Sequence, residues 1–267
     1  MTTLHYYMID PTKNITALAE TPVPPASRPF AAARIMAEEP DCEQVGFVYR
    51  NAAGEPCLDM AGGEFCGNAS MSAAALLCAK AGMAAGERRQ VTLHVSGAPE
   101  RVCVAVTVQE EGVFACTVKL PPPEAVTEVS LPVCGKTVRL PVVYLPGIAH
   151  IMVTKDELDA AAAQRSVRGW CKTLGTAGLG VMLFDPAFRT LRPLVYVPGS
   201  DTLFWESSCA SGTGALGAYL AKTGGKPADL TVNEPGGTLR VQASPEGEIL
   251  LSGLVRLRYD REIIIDC

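Results

Sequence analysis

Two stretches of this chain repeat one pattern. "GGEFCGNASMSAAALLCAKAG" at 62–82 has its counterpart in "ESSCASGTGALGAYLAKTGG" at 206–225. Each carries a glutamate (Glu64, Glu206) ahead of a cysteine (Cys66, Cys209), runs through small apolar residues, and ends on a lysine (Lys80, Lys222) before glycine. The separation is the same at both ends to within one residue, which is what duplication of a structural unit leaves behind. Any fold for the chain must therefore be buildable twice.

The surroundings repeat as well. Each stretch is followed by a strand, a turn and a second strand, "VTLHVSGAPERVCVAV" at 91–106 and "LTVNEPGGTLRVQAS" at 230–244, read from period-2 alternation broken by Gly and Pro. Ahead of each lies a further helical segment, 28–39 and 155–174, beside strand-like runs such as "EQVGFVYR" and "GLGVMLFD". Both repeats thus read as one mixed α+β unit. Three consecutive prolines, Pro121, Pro122 and Pro123, interrupt both periodicities and mark the junction. The expected domains are 1–121 and 122–255, with 256–267 as closing strands that can pack back on the N-terminal half. A helix that carries no charge for three turns is a buried helix, so each half should wrap a sheet around its cysteine-led segment.

Composition bounds the partners. Hydrophobic residues make up 48% of the 267, enough for packed cores. The net charge of −5 carries no basic run, and aromatics are only 6%, which argues against a nucleic-acid surface and for a small-molecule ligand. The uncharged segments fall short of the roughly 20 residues of a bilayer span, and the strand-like N-terminus lacks a signal-peptide pattern; the expected location is the cytoplasm. None of the ten cysteines lies in a CxxC spacing, so no metal site is expected and most thiols should be reduced, buried hydrophobes. "GTG" at 212–214 has neither the P-loop ending nor the dinucleotide spacing, and no cofactor is expected.

Cys66 and Cys209 are set apart by position. A helix N-terminus presents unsatisfied N–H groups and about half a positive charge, which binds carboxylate and favours thiolate. One such end is a weak signal. Two, on duplicated halves, can set thiols on opposite sides of one anion, the arrangement that α-carbon racemisation needs: a base on one face, an acid on the other.

These residues resemble a known family. "EFCGN" with "ESSCASGTGA" is similar to the paired cysteine motifs of the diaminopimelate epimerase superfamily, amino-acid racemases and epimerases that use no pyridoxal phosphate. The resemblance spans nearly the whole chain as a layout. It implies two pseudosymmetric halves, each a sheet around a central helix, with an active site in the cleft between them. Carried over by motif, it implies Cys66 and Cys209 as the acid/base pair and the N–H groups of Gly67, Asn68, Ala210 and Ser211 as a carboxylate cradle. Asn14 in "DPTKNITAL" and His150 in "PGIAHIMV" match substrate-contacting positions, and Glu206 stands beside the second cysteine.

The departures narrow the substrate. Where diaminopimelate epimerases carry an arginine after an acidic residue, Asp201 is followed here by Thr202, which cannot grip a second carboxylate as a guanidinium does. The chain is closer to the single-amino-acid branch that includes histidine racemases of metallophore biosynthesis. Histidine is the expected substrate, with Phe204 and Trp205 suggestive of a wall for its ring. Alternatives left open are diaminopimelate or another single amino acid, a phenazine-type isomerase and a non-catalytic amino-acid-binding protein; a homodimer is allowed for.

Overall fold

The computed structural model describes residues 2–154, 156–199 and 201–265. They form two compact units, one of residues 2–119 with 252–265 and one of 120–251. The first contains β1 (Thr2–Pro11), β2 (Thr16–Ala19), α1 (Arg28–Glu38), β3 (Gln44–Arg50), β4 (Pro56–Met60), α2 (Gly67–Lys80), β5 (Arg88–Val95), β6 (Val102–Glu110) and β7 (Val113–Leu120). The second contains β8 (Ala125–Val133), β9 (Lys136–Leu145), β10 (Ile148–Thr154), α3 (Ala160–Leu174), β11 (Leu179–Asp185), β12 (Thr190–Val197), β13 (Thr202–Trp205), α4 (Ala210–Gly224), β14 (Ala228–Glu234) and β15 (Gly237–Ala243). The long strand β16 (Ile249–Ile265) begins in the second unit and continues in the first.

Strand order in the first unit is β1-β2-β3-β4-β5-β6-β7-β16, and β1 also pairs with β16, so eight strands close into a barrel. In the second, the order β8-β9-β10-β11-β12-β14-β15-β16 repeats the same plan. The parallel pairs correspond: β2 with β3 and β10 with β11, β4 with β5 and β12 with β14. Parallel neighbours need a crossover, and the four helices supply the four crossovers. The fold is mixed α+β with the same element plan in each half, as the repeat implies.

The helices take two kinds of place. α2 touches β1, β2, β5 and β6, and buries every residue from Gly67 to Leu76 together with Cys78. α4 touches β8, β9, β10, β11, β14 and β15 in the same way. Neither has a strong apolar stripe because neither has a solvent side; each fully buried Leu76 or Met71 contributes about 1.5–3 kcal/mol. In α4 the walls come so close that a Cβ on Gly214 or Gly217 would stand 2.3 Å from Leu120 or 2.5 Å from Val241. Small residues there are required by packing, although glycine weakens a helix by up to about 1 kcal/mol.

α1 and α3 are amphipathic and lie over strands. α1 sets Ala31, Ala32 and Ile35 against Leu4, Tyr6, Met8 and Phe47. α3 sets Val167 and Trp170 against Leu140, Ile151, Val181 and Leu194, and the indole N–H donates to the Pro132 carbonyl at 2.8 Å. Sequence periodicity places the start of α3 at Lys155; that residue lies outside the described ones, and the helix begins at Ala160. The cause is local: the Asp159 carboxylate accepts the Ala162 N–H at 2.7 Å and caps the first turn.

Strand β16 runs antiparallel along β1 from Thr2↔Ile265 to Pro11↔Val255, with a bulge at Met8/Ile9. Cys267 lies outside the described residues. Among the described residues no helix is long and apolar enough to cross a membrane.

Candidate active site

Each central helix begins on a cysteine, and the two N-caps have one conformation. Cys66 has φ −132° and ψ 115°, Cys209 φ −133° and ψ 102°. Each sulfur accepts the N–H three residues on, Ala69 and Gly212, both at 3.4 Å. The first intrahelical bonds are Ser70 N–H to the Cys66 carbonyl and Thr213 N–H to the Cys209 carbonyl. Gly67 and Asn68, like Ala210 and Ser211, therefore stand in the first turn, where peptide N–H groups have no carbonyl of their own helix to reach. Cysteine thus does the work that Ser or Asp does at an ordinary N-cap.

In the first unit, the expected residues Cys66, Gly67, Asn68 and Asn14 come together with two that sequence reading missed. Cys66 Sγ donates to Gln44 Oε1 at 3.0 Å. Asn14 Oδ1 accepts from Gln44 Nε2 at 2.7 Å and from Asn68 Nδ2 at 2.9 Å, while Asn14 Nδ2 donates to Glu43 Oε2 at 2.6 Å. The loop before Asn14 turns through left-handed Thr12 and Lys13, fixed by the Lys13 N–H on the Asp10 carboxylate at 2.6 Å. This turn aims a buried amide at the helix mouth. Glu64 is exposed, and its carboxyl takes backbone N–H groups of its own loop at Gly62 and Glu64.

In the second unit, Cys209, Ala210, Ser211, His150 and Glu206 come together. Ser211 Oγ lies 3.6 Å from Cys209 Sγ and 3.0 Å from His150 Nε2. Burial pushes the Cys209 thiol well above its usual range, the charges of Glu206 and Glu234 and a hydrogen bond with Glu206 push it further, and the Ser211 hydroxyl works the other way. Glu234 is the residue missed here. Its Oε2 accepts the Cys209 N–H at 2.7 Å and its Oε1 accepts the Thr213 hydroxyl. Burial raises Glu234 to about 8, against those two donors, with the Glu206 charge adding to the rise. Glu234 occupies an inward position of β14, two residues after buried Val232, and a glutamate at an inward place was its only sequence signal.

His150 is wholly buried on β10, and Nδ1 has no hydrogen-bond partner among the described residues. Burial lowers it to about 3, so the ring is neutral at neutral pH. Unfolded, it titrates near 6.5, so between pH 6.5 and 3 the unfolded chain binds the extra proton and stability falls as pH falls. Wild type should lose up to about 1.4 kcal/mol per pH unit relative to His150→Gln in that window. Urea unfolding of both proteins at pH 7, 6, 5 and 4 checks this; a constant difference between them would refute it.

Of the aromatic pair, Phe204 is exposed, and Trp205 lies under the Arg192 guanidinium at 4.7 Å and donates to Gln164. His5 and His94 pair with Asp260 and Glu55 on exposed or half-buried strands. A hollow of about 560 Å³ lies at the C-terminal end of α2, lined by residues such as Met83, Val108 and Phe114, the opposite end from Cys66. No group of three or more His, Cys, Asp or Glu among the described residues is placed to hold a metal ion.

Known proteins share this plan. The family described as histidine racemase CntK N-terminal domain matches residues 3–256. A histidine racemase of Fusobacterium nucleatum subsp. nucleatum is 32% identical over 225 residues, 82% of each chain. One of Staphylococcus aureus is 28% identical over 248 residues, 89% of this chain and 88% of that one. The solved structure of a probable proline racemase from Agrobacterium radiobacter superposes with a TM-score of 0.74 at 14% identity, over 98% of this chain and 93% of the other. With the family covering nearly all of its length, the chain belongs to the histidine racemase CntK N-terminal domain family and is an isomerase of the racemase and epimerase class.

Proposed function

We propose that this protein racemises histidine by two-base proton transfer, with Cys66 and Cys209 as the acid/base pair. The observation that carries the reading is the repeated N-cap: two cysteines in one backbone conformation, each at the positive end of a buried helix. One thiolate takes the α-proton, leaving the electron pair on the α-carbon and its carboxylate. The other thiol delivers a proton to the opposite face and becomes the thiolate. In the reverse direction the roles exchange.

The negative charge that develops on the substrate carboxylate needs fixed dipoles, and the N–H groups of Gly67, Asn68, Ala210 and Ser211 are suited to supply them. Asn14 and Gln44 would orient the first thiol and its ligand; His150, acting through Ser211, and Glu206 would orient the second. The mechanism calls on no prosthetic group. Histidine is favoured over diaminopimelate because Thr202 stands where a second carboxylate would need an arginine, and because the similar chains of Fusobacterium nucleatum and Staphylococcus aureus are histidine racemases.

The test is α-hydrogen exchange in D₂O across a panel of L-amino acids including histidine and diaminopimelate. Deuterium gain by histidine with loss of optical activity is the expected result. Exchange confined to another amino acid would replace the substrate, and no exchange with any of them would overturn the reading.

A further inference from the structure

An N-cap residue leaves its own N–H outside the helix, and in many helices a Glu or Gln at the third helical position reaches back to take it. In α4 that position is Gly212, which has no side chain to offer. Glu234, from the end of β14, takes the Cys209 N–H instead, and holds Thr213 on the next turn with its other oxygen. It is 7% exposed. A glutamine there would satisfy the same N–H without the cost of burying an ionisable group, so the acid is not explained by capping alone. The matching strand after α2, β5, ends on Val95 and brings no carboxyl to its helix. Cys66 faces the neutral amide of Gln44, whereas the Cys209 sulfur stands among two carboxyls.

We propose that Glu234 is a positioning residue for Cys209: its buried carboxyl fixes the main chain that carries the sulfur and sets a charge behind it, so that Cys209 rests as the thiol. Around Cys209 the groups that bear on this are Glu206 from the segment before α4, Glu234 from β14, the positive end of α4, and His150 from β10, which is neutral and acts through Ser211. Glu234 itself faces Cys209, Thr213 and Glu206. Near pH 8 the Glu234 carboxyl ionises, and its negative charge then opposes loss of the Cys209 proton, so the thiol survives further into the alkaline range. This role of Glu234 deepens the acid/base reading and rests on it for its catalytic consequence.

The test needs no substrate. The full chain is labelled with [3-¹³C]cysteine, and the Cys66 and Cys209 signals are assigned by their loss in Cys66→Ser and Cys209→Ser. Both are then titrated from pH 6 to 11. In Glu234→Gln the Cys209 midpoint should fall by about one pH unit or more, while Cys66 stays in place. Glu234→Asp, which keeps the charge, should remain closer to wild type. A Cys209 midpoint unmoved in Glu234→Gln, or moved equally in both variants, would overturn the proposal. A parallel shift of Cys66 would show a general loosening and overturn it too. If Glu234→Gln does not fold, a Cys209 midpoint in Glu234→Asp no higher than the ordinary thiol value does the same. Histidine exchange in D₂O is read separately, so failure of one reading is not mistaken for failure of the other.

Discussion

Cys66→Ala and Cys209→Ala should each lower histidine racemisation by roughly 10²–10⁴-fold, the span that a positioned acid or base is worth. The two variants should fail differently. A racemase that works from both faces needs each thiol for one face only. With Cys66 removed, Cys209 can still exchange the α-proton of whichever enantiomer presents that proton to it, and the reverse holds for Cys209→Ala. Each variant should therefore wash deuterium into one enantiomer, the opposite one in each case, without converting it. Mass spectrometry of D- and L-histidine in D₂O, combined with chiral chromatography, reads both quantities. Racemisation near the wild-type rate in either single variant would point to one base serving both faces. Loss of the sulfur cap at 3.4 Å should cost each variant about 0.5–2 kcal/mol, so activity is compared under conditions where each variant is fully folded.

What the sequence disclosed follows from what a linear pattern can carry. The repeat is visible because α2 and α4 are each buried against a wrapping sheet, and such burial strips charge from a helix over most of its length, as at 67–79. The N-cap role of Cys66 and Cys209 is local and can be read from the small residues that follow. Gln44 and Glu234 were not legible for the opposite reason. They reach the helix mouths from strands β3 and β14, whose register no local spacing reveals. Sequence places the start of α3 too early because Lys, Glu and Leu ahead of Asp159 are themselves helix formers, while the cap decides where the helix begins. Phe204, suggestive of a pocket wall in sequence, stands exposed on β13, which among the described residues pairs with β12.

The asymmetry between the two thiols has the same origin. Duplication copied the helices and their caps, while the side chains arriving from neighbouring strands diverged: Gln44 beside one sulfur, Glu234 behind the other.

Gly97→Ala should destabilise the protein by roughly 2–5 kcal/mol and reduce turnover beyond what the lost stability explains. Gly97 turns the chain between β5 and β6 at φ +72°, a backbone conformation that costs an L-residue about 1–2 kcal/mol. A Cβ there would stand 2.3 Å from Phe65 N, 2.7 Å from Glu64 C and 3.1 Å from Phe65 Cα. All three are backbone atoms, so no rotamer change can relieve the clash. The neighbouring Ser96 hydroxyl donates to the Glu64 carbonyl at 2.9 Å and accepts the Met60 N–H at 2.8 Å. The 96–97 turn is thus the shelf that holds the strand-to-helix loop just before Cys66, and pushing Phe65 away moves the N-cap with it. Gly54→Ala is the control: it also has positive φ, +77°, but nothing within 4 Å of the added methyl, so it should cost only about 1–2 kcal/mol and leave turnover unchanged. Urea unfolding of both variants, with activity measured where each is fully folded, separates backbone strain from the close approach. If Gly97→Ala behaves like Gly54→Ala, the turn does not support the loop, and the position of Cys66 is fixed by its own helix and Gln44 alone.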